Sequence, residues 1–179
     1  MRIAPLLPVL DPPTLGLTPQ RALEVCCAHW PQQVLLRTRA MRAVDERYWL
    51  DLFESQYPGL LIANLAYHDP RKPTTLRHYP EGSQIMDAPS PFGMSAHSAA
   101  AVQQAHAAGA AWVVLSPLRV TASHPDAKIM EGQEFKLCVA AARNADMQVF
   151  GLGGLGPLDL PWALEAGLDG VAGIRSFFS

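Results

Sequence analysis

The chain has 179 residues, 49% of them apolar, and a formal net charge of -2. That is the length of one domain, residues 1–179, with enough apolar side chain for a real core. The missing basic excess argues against a nucleic-acid binder, and no apolar run reaches the roughly 18 residues of a membrane span.

Ile3 to Leu10 reads as a first strand. It carries two prolines, shows no small-x-small cleavage pattern and runs straight into Asp11, so it does not read as an export signal, and the expected location is cytoplasmic. Thr18 caps a helix with Pro19 at its first position and Leu23 and Cys26 on one face. Val34 to Arg37 is the second strand, Val44 to Gln56 a helix, and Leu60 to Ala63 the third strand. From Tyr67 to Pro91 the rhythm fails: the stretch is rich in proline and polar residues, and Ser83 to Met86 is its only candidate strand. Phe92 to Ala96 is a strand, Ser98 to Ala108 a helix, and Trp112 to Leu115 the sixth strand. A long loop, a helix from Glu131 to Arg143, a strand at Gln148 to Gly151, a helix at Leu158 to Ala166 and a strand at Gly170 to Ile174 complete the chain.

Eight strands alternating with helices predict a (β/α)8 TIM barrel, shortened around strands three and four and at the C-terminus. An open α/β sheet is the competing fold. Three cysteines, two of them adjacent, offer neither a disulfide ladder nor paired metal knuckles. The early end past the last strand suggests self-association through apolar surface near Phe177 and Phe178.

Three segments carry chemistry. In FGLGGLGP, glycines follow a strand and Pro157 opens a helix; this reads either as a cradle whose amides and helix dipole face an anion, or as a tight turn. In LLRTRAM, strand alternation places Arg37 and Arg39 on one face, either as a fork for a dianion or as two solvated side chains. In LSPLRVTASHP, hydroxyls at Ser116, Thr121 and Ser123 accompany Arg119 and His124, and His124 is the candidate acid or base. In MSAHS, Ser95 and His97 flank a strand end without a GxSxG elbow or an acid to complete a triad. Asp69 and Asp87 read as turn residues that could assist a magnesium ion. No histidine–carboxylate cluster has metal-ligand spacing.

In order, GMSAHS, SPLRVTASHP, FGLGGLGP and GVAGIRSFF resemble the strand ends of the thiamin-phosphate synthase and TenI-type family, over Phe92 to Phe178 and less closely over Val34 to Asn64. The spelling is closest to TenI-like domains fused to Nudix hydrolases in some bacteria. The resemblance implies a TIM barrel of thiamin metabolism that binds a phosphorylated small molecule such as a thiazole phosphate. In the synthases it also implies a pyrimidine pyrophosphate with magnesium, pyrophosphate leaving as the pyrimidine methylene is transferred. It implies anion or substrate binding by Arg37, Arg39, Asn64, Ser95, Thr121, Ser123, Gly153 and Gly154, with Arg175 where the family has serine. Two departures stand out. The magnesium aspartate after Asn64 is Leu65, and the lysine after TxT is His124. They leave open a non-catalytic ligand binder or a stand-alone partner of a Nudix-type hydrolase.

Overall fold

The computed structural model describes residues 2–85, 91–120 and 128–179. Eight parallel strands close in chain order into a barrel: β1 (Leu6–Leu10), β2 (Gln33–Arg37), β3 (Leu60–Asn64), β4 (Leu76–Tyr79), β5 (Phe92–Ala96), β6 (Trp112–Leu115), β7 (Gln148–Gly151) and β8 (Gly170–Gly173). Closure comes from β8 on β1, with Leu6 opposite Val171 and Pro8 opposite Gly173. The open sheet is thereby excluded, and the (β/α)8 barrel stands.

Parallel strands need cover on both faces, and the aliphatic runs at β1, β2, β3 and β6 supply two apolar faces at once. Alternate residues fill the interior: Val9, Leu35, Ile62, Trp112, Val114 and Phe150 form one buried cluster. The other set faces helices. Leu36 and Ala63 pack against Leu50 and Phe53 of α3 (Ala43–Gln56), and Val113 and Val149 against Val139 of α5 (Gly132–Asn144). Two glutamines seal the N-terminal end. Gln33 bonds the backbone of Ala4 and Leu6, and Gln148 bonds both backbone groups of Ile3.

Helix signals are honoured where capping chemistry is present. Thr18 accepts from Arg21 N at the start of α2 (Pro19–His29), and Ser98 accepts from Ala101 N before α4 (Ala99–Ala107). A short α1 (Pro12–Leu15), unanticipated from the sequence, is capped by Asp11 through Thr14 N.

The fourth strand corrects the sequence reading. It is LRHY, not Ser83 to Met86; Ser83 to Ile85 carry no strand, and Met86 lies outside the described residues. Arg77 and His78 disguise it, because both are polar yet buried. His78 points inward, whereas Arg77 reaches the His68 carbonyl and lies 5.1 Å from the Tyr79 ring centroid.

The β3–β4 connection has no helix. Two buried carboxylates of α3 hold it instead. Glu46 accepts from Thr38 Oγ1 and from the amides of Ala66, Tyr67 and His68, with His68 Nδ1 at 3.0 Å. Glu54 accepts from the amides of Arg71 and Lys72 and from Thr75 Oγ1. Burial pushes the Glu46 carboxyl up, but its donors outweigh that and hold it below its ordinary value.

The chain end is a second correction. Phe177, in α7 (Arg175–Phe178), is buried against Trp30 at a ring separation of 5.0 Å, and its carbonyl accepts from Trp30 Nε1. The last turn folds back over β8, so of the two phenylalanines expected at an apolar surface Phe177 is buried and Phe178 half-buried.

Candidate functional site

In a parallel barrel every strand's C-terminal end opens onto one mouth, where loops can vary without disturbing the core. Two residues beyond the interior layer, the rim comprises Asp11 just past β1, Arg37, Asn64 and His78 on β2 to β4, and Leu152 and Ile174 just past β7 and β8. Ser95 completes the polar arc on β5, in register with inward-facing Val114. One side of the mouth is therefore polar and the other apolar.

Arg37 ends β2, and its guanidinium donates to the Asp11 carboxylate, which is itself nearly inaccessible. The other Asp11 oxygen caps α1, so the carboxylate ties a guanidinium to the turn after β1. Arg39 is not on the strand. β2 stops at Arg37, Met41 N donates to Thr38 O across a turn, and Arg39 sits exposed in that turn. Strand alternation therefore does not pair the two arginines.

Asn64 is 5% exposed, and its Oδ1 has no partner among the described residues. On the next strand, His78 Nε2 lies 3.1 Å from Ser95 Oγ, and the ring stacks 6.4 Å from Trp112. The indole occupies the space a β5 side chain would take, since a Cβ on Gly93 would stand 2.1 Å from it. Burial pushes the His78 imidazole down to about 3, so it is neutral whenever the protein is folded near neutrality.

The glycine loop follows β7. Gly153 and Gly154 have φ of 110° and 66°, and their amides have no hydrogen-bond partner among the described residues. Gly153 also lies tight against the loop after β6, where a Cβ would approach Leu118 N to 2.9 Å. The helix opening differs from the expectation. Pro157–Asp159 is a 3-10 turn leading into α6 (Leu160–Glu165), and Asp159 itself accepts from Gly156 N at 2.8 Å. A carboxylate thus occupies the position foreseen for an anion at that helix start, leaving the two glycine amides. Arg119 braces the loop from outside: it pairs with Asp159 at 2.8 Å, approaches Gly154 O at 3.5 Å and lies over Trp162.

Arg37, Asn64, Ser95, Gly153 and Gly154 therefore share one rim. Arg175 follows the rim residue Ile174 and is exposed at the start of α7. Thr121, Ser123 and His124 lie outside the described residues. His97, seen in the sequence only as a strand-end neighbour, donates from Nδ1 to Ser116 O at 2.6 Å, while its amide donates to Glu81. Asp11, His78 and Arg119 are the additions the sequence did not mark as site residues. Arg119 stood in the sequence beside the loop hydroxyls without a role, and the Asp-Pro-Pro start at Asp11 is a capping signal that the strand reading passed over.

A family model described as thiamine monophosphate synthase matches residues 79–177, more than half of the chain. No curated protein matches. Among solved structures, thiamine phosphate pyrophosphorylase from Pyrococcus furiosus superposes with a TM-score of 0.68 at 14% identity, over 94% of this chain and 84% of that one. 3-Hexulose-6-phosphate synthase gives 0.62 at 16%, over 94% and 89%. FabK from Thermotoga maritima gives 0.65 at 16%, over 97% and 58%. At these identities the structural likenesses show the fold.

The magnesium ion implied by the resemblance does not fit the described residues. Leu65, the residue after β3, is buried in the outer apolar cluster that also holds Leu36, Leu50 and Phe53. Asp11 is committed to Arg37 and Thr14. Asp69 is largely exposed, 3.6 Å from Arg77. Asp87 lies outside the described residues. Among the described residues no three His, Cys, Asp or Glu side chains group around a metal position.

Proposed function

Because the chain belongs to the thiamine monophosphate synthase family, we propose that it binds a phosphorylated small molecule of thiamin metabolism, such as a thiazole phosphate, in the barrel mouth. The phosphate lies on the Gly153 and Gly154 amides, with Arg175 beside it. The ligand's ring spans from the apolar Leu152–Ile174 side towards Asn64 and Ser95. The supporting observation is the pair of unpartnered glycine amides on the same rim as Arg37 and Asn64. Backbone N–H groups fixed by left-handed turns make a pre-organised anion concavity that costs nothing to rearrange.

Transfer of a pyrimidine to the bound thiazole is the family's reaction and the nearest catalytic label. It needs stabilisation where charge develops on leaving pyrophosphate, a contribution of several kcal/mol from a metal. Leu65 favours the second reading, a non-catalytic ligand binder or a partner of a Nudix-type hydrolase, because an apolar side chain stands at the carboxylate position.

Calorimetry with thiazole phosphate tests the binding reading. We expect micromolar affinity that falls at least about tenfold in Gly154→Val, with circular dichroism confirming a folded variant. Undiminished affinity in that variant overturns the placement. Incubation with thiazole phosphate, pyrimidine pyrophosphate and magnesium separates the two readings, since thiamin phosphate above background rules out the non-catalytic one.

A further inference from the structure

We propose that Asp11 sets the ligand class of this mouth. By matching Arg37, it makes the β1–β3 corner a receptor for an uncharged polar group, so the site takes a single phosphomonoester without a divalent cation. The inference rests on the anion-binding reading above. Its basis is the charge pattern of the rim, in which two described guanidiniums are already paired, Arg37 with Asp11 and Arg119 with Asp159. Asp11 is 2% exposed, so its charge cannot be screened by solvent, and any second anionic group placed on Arg37 also meets a fixed carboxylate. A metal-chelated pyrophosphate would relieve that repulsion, but Leu65 turns an apolar side chain into the helix layer where a metal-binding carboxylate is implied.

What the corner does offer is neutral hydrogen bonding. Asn64 Oδ1 and His78 Nδ1 are buried and unpartnered among the described residues, on neighbouring strands whose register, Ala63 opposite Arg77, sets the two residues side by side. Arg37 uses one guanidinium nitrogen for Asp11 and keeps its remaining N–H groups for an acceptor. A hydroxyl, amide or ring nitrogen satisfies such groups without adding charge. Arg39 and Arg175 make no ion pair among the described residues, and Arg175, next to Ile174 at the mouth, serves the phosphomonoester.

The test is calorimetry on the full chain with inorganic phosphate and with inorganic pyrophosphate, each with magnesium and with chelator. The proposal expects phosphate affinity unchanged by magnesium, and pyrophosphate binding no tighter than phosphate in either condition. In Asp11→Asn, which keeps a helix-capping side chain, pyrophosphate affinity rises about tenfold as Arg37 loses its counter-charge. Pyrophosphate gaining tenfold or more from magnesium in the unmodified chain, or gaining nothing in Asp11→Asn, overturns the proposal while leaving phosphate binding in place. Absence of binding by both anions overturns the anion-binding reading and this inference with it.

Discussion

The two regions that flank β4 reach the same barrel by different means. From Phe92 to Phe178 the connections are mostly helical, and Val102, Val113, Cys138, Val149 and Ala163 lock helix to strand through apolar contact. Between Leu65 and Thr75 there is no helix. A loop is pinned to α3 by Glu46 and Glu54, which between them accept from five backbone amides. A helix supplies its own hydrogen bonds and asks only for a face to bury. A bare loop against a sheet must have its amides satisfied from outside, and two carboxylates two turns apart on one helix do that here. Shortening a barrel in this way exchanges non-directional packing for a few directional, fully committed groups.

That contrast can be broken at several points. The largest effect is expected for Leu65→Asp, which restores a family-like carboxylate in sequence but buries it unpaired in the apolar layer. It should cost about 4 kcal/mol or more, read by denaturant unfolding; a stable variant with a magnesium-dependent melting temperature would contradict the placement. Glu46→Ala should cost about 3 kcal/mol, because several buried amides lose their acceptor together. Its loss should appear as fast amide exchange confined to Ala66–His68, with exchange in α5 unchanged. In the helix-covered half the sensitive point is packing instead. Gly93→Ala forces a Cβ to within 2.1 Å of the Trp112 indole and should cost about 2 kcal/mol.

Acid sharpens the same comparison. The native Glu46 carboxyl titrates below 4.5, so its contribution is complete above that pH and is lost as pH falls through the lower native value. His78 acts over a higher window. Its native pKa of about 3 lies below the ordinary 6.5, so the unfolded chain binds a proton that the native chain does not. Stability should therefore fall by about 1.4 kcal/mol for each pH unit below 6.5 until pH approaches 3. In His78→Gln that slope should flatten; an unchanged slope would show that the imidazole is not held neutral.

Much of this was legible in the sequence. Seven of eight strands follow from aliphatic runs and turn residues, and the caps at Thr18 and Ser98 announce their helices. The glycine pair is equally plain, because left-handed backbone at Gly153 and Gly154 leaves a compositional mark. β4 was hidden because hydrophobic periodicity cannot reveal a strand whose inward residue is a neutral histidine and whose outward residue is a sheltered arginine. The Asp11–Arg37 pair spans 26 residues and appears only once β1 and β2 lie side by side. The helix start opened by Pro157 shows the opposite failure: the local pattern invites an outside anion, and the chain supplies its own carboxylate in Asp159.

The central claim is that phosphate rests on the two glycine amides, and titrating the isotopically labelled chain with inorganic phosphate tests it most directly by following backbone amide resonances. The account predicts saturable shifts that are largest at Gly153 and Gly154 and absent in Gly154→Val. Shifts centred instead on the outer α5–α6 surface around Lys136 and Arg143, or no saturable shift at the glycines, would contradict it.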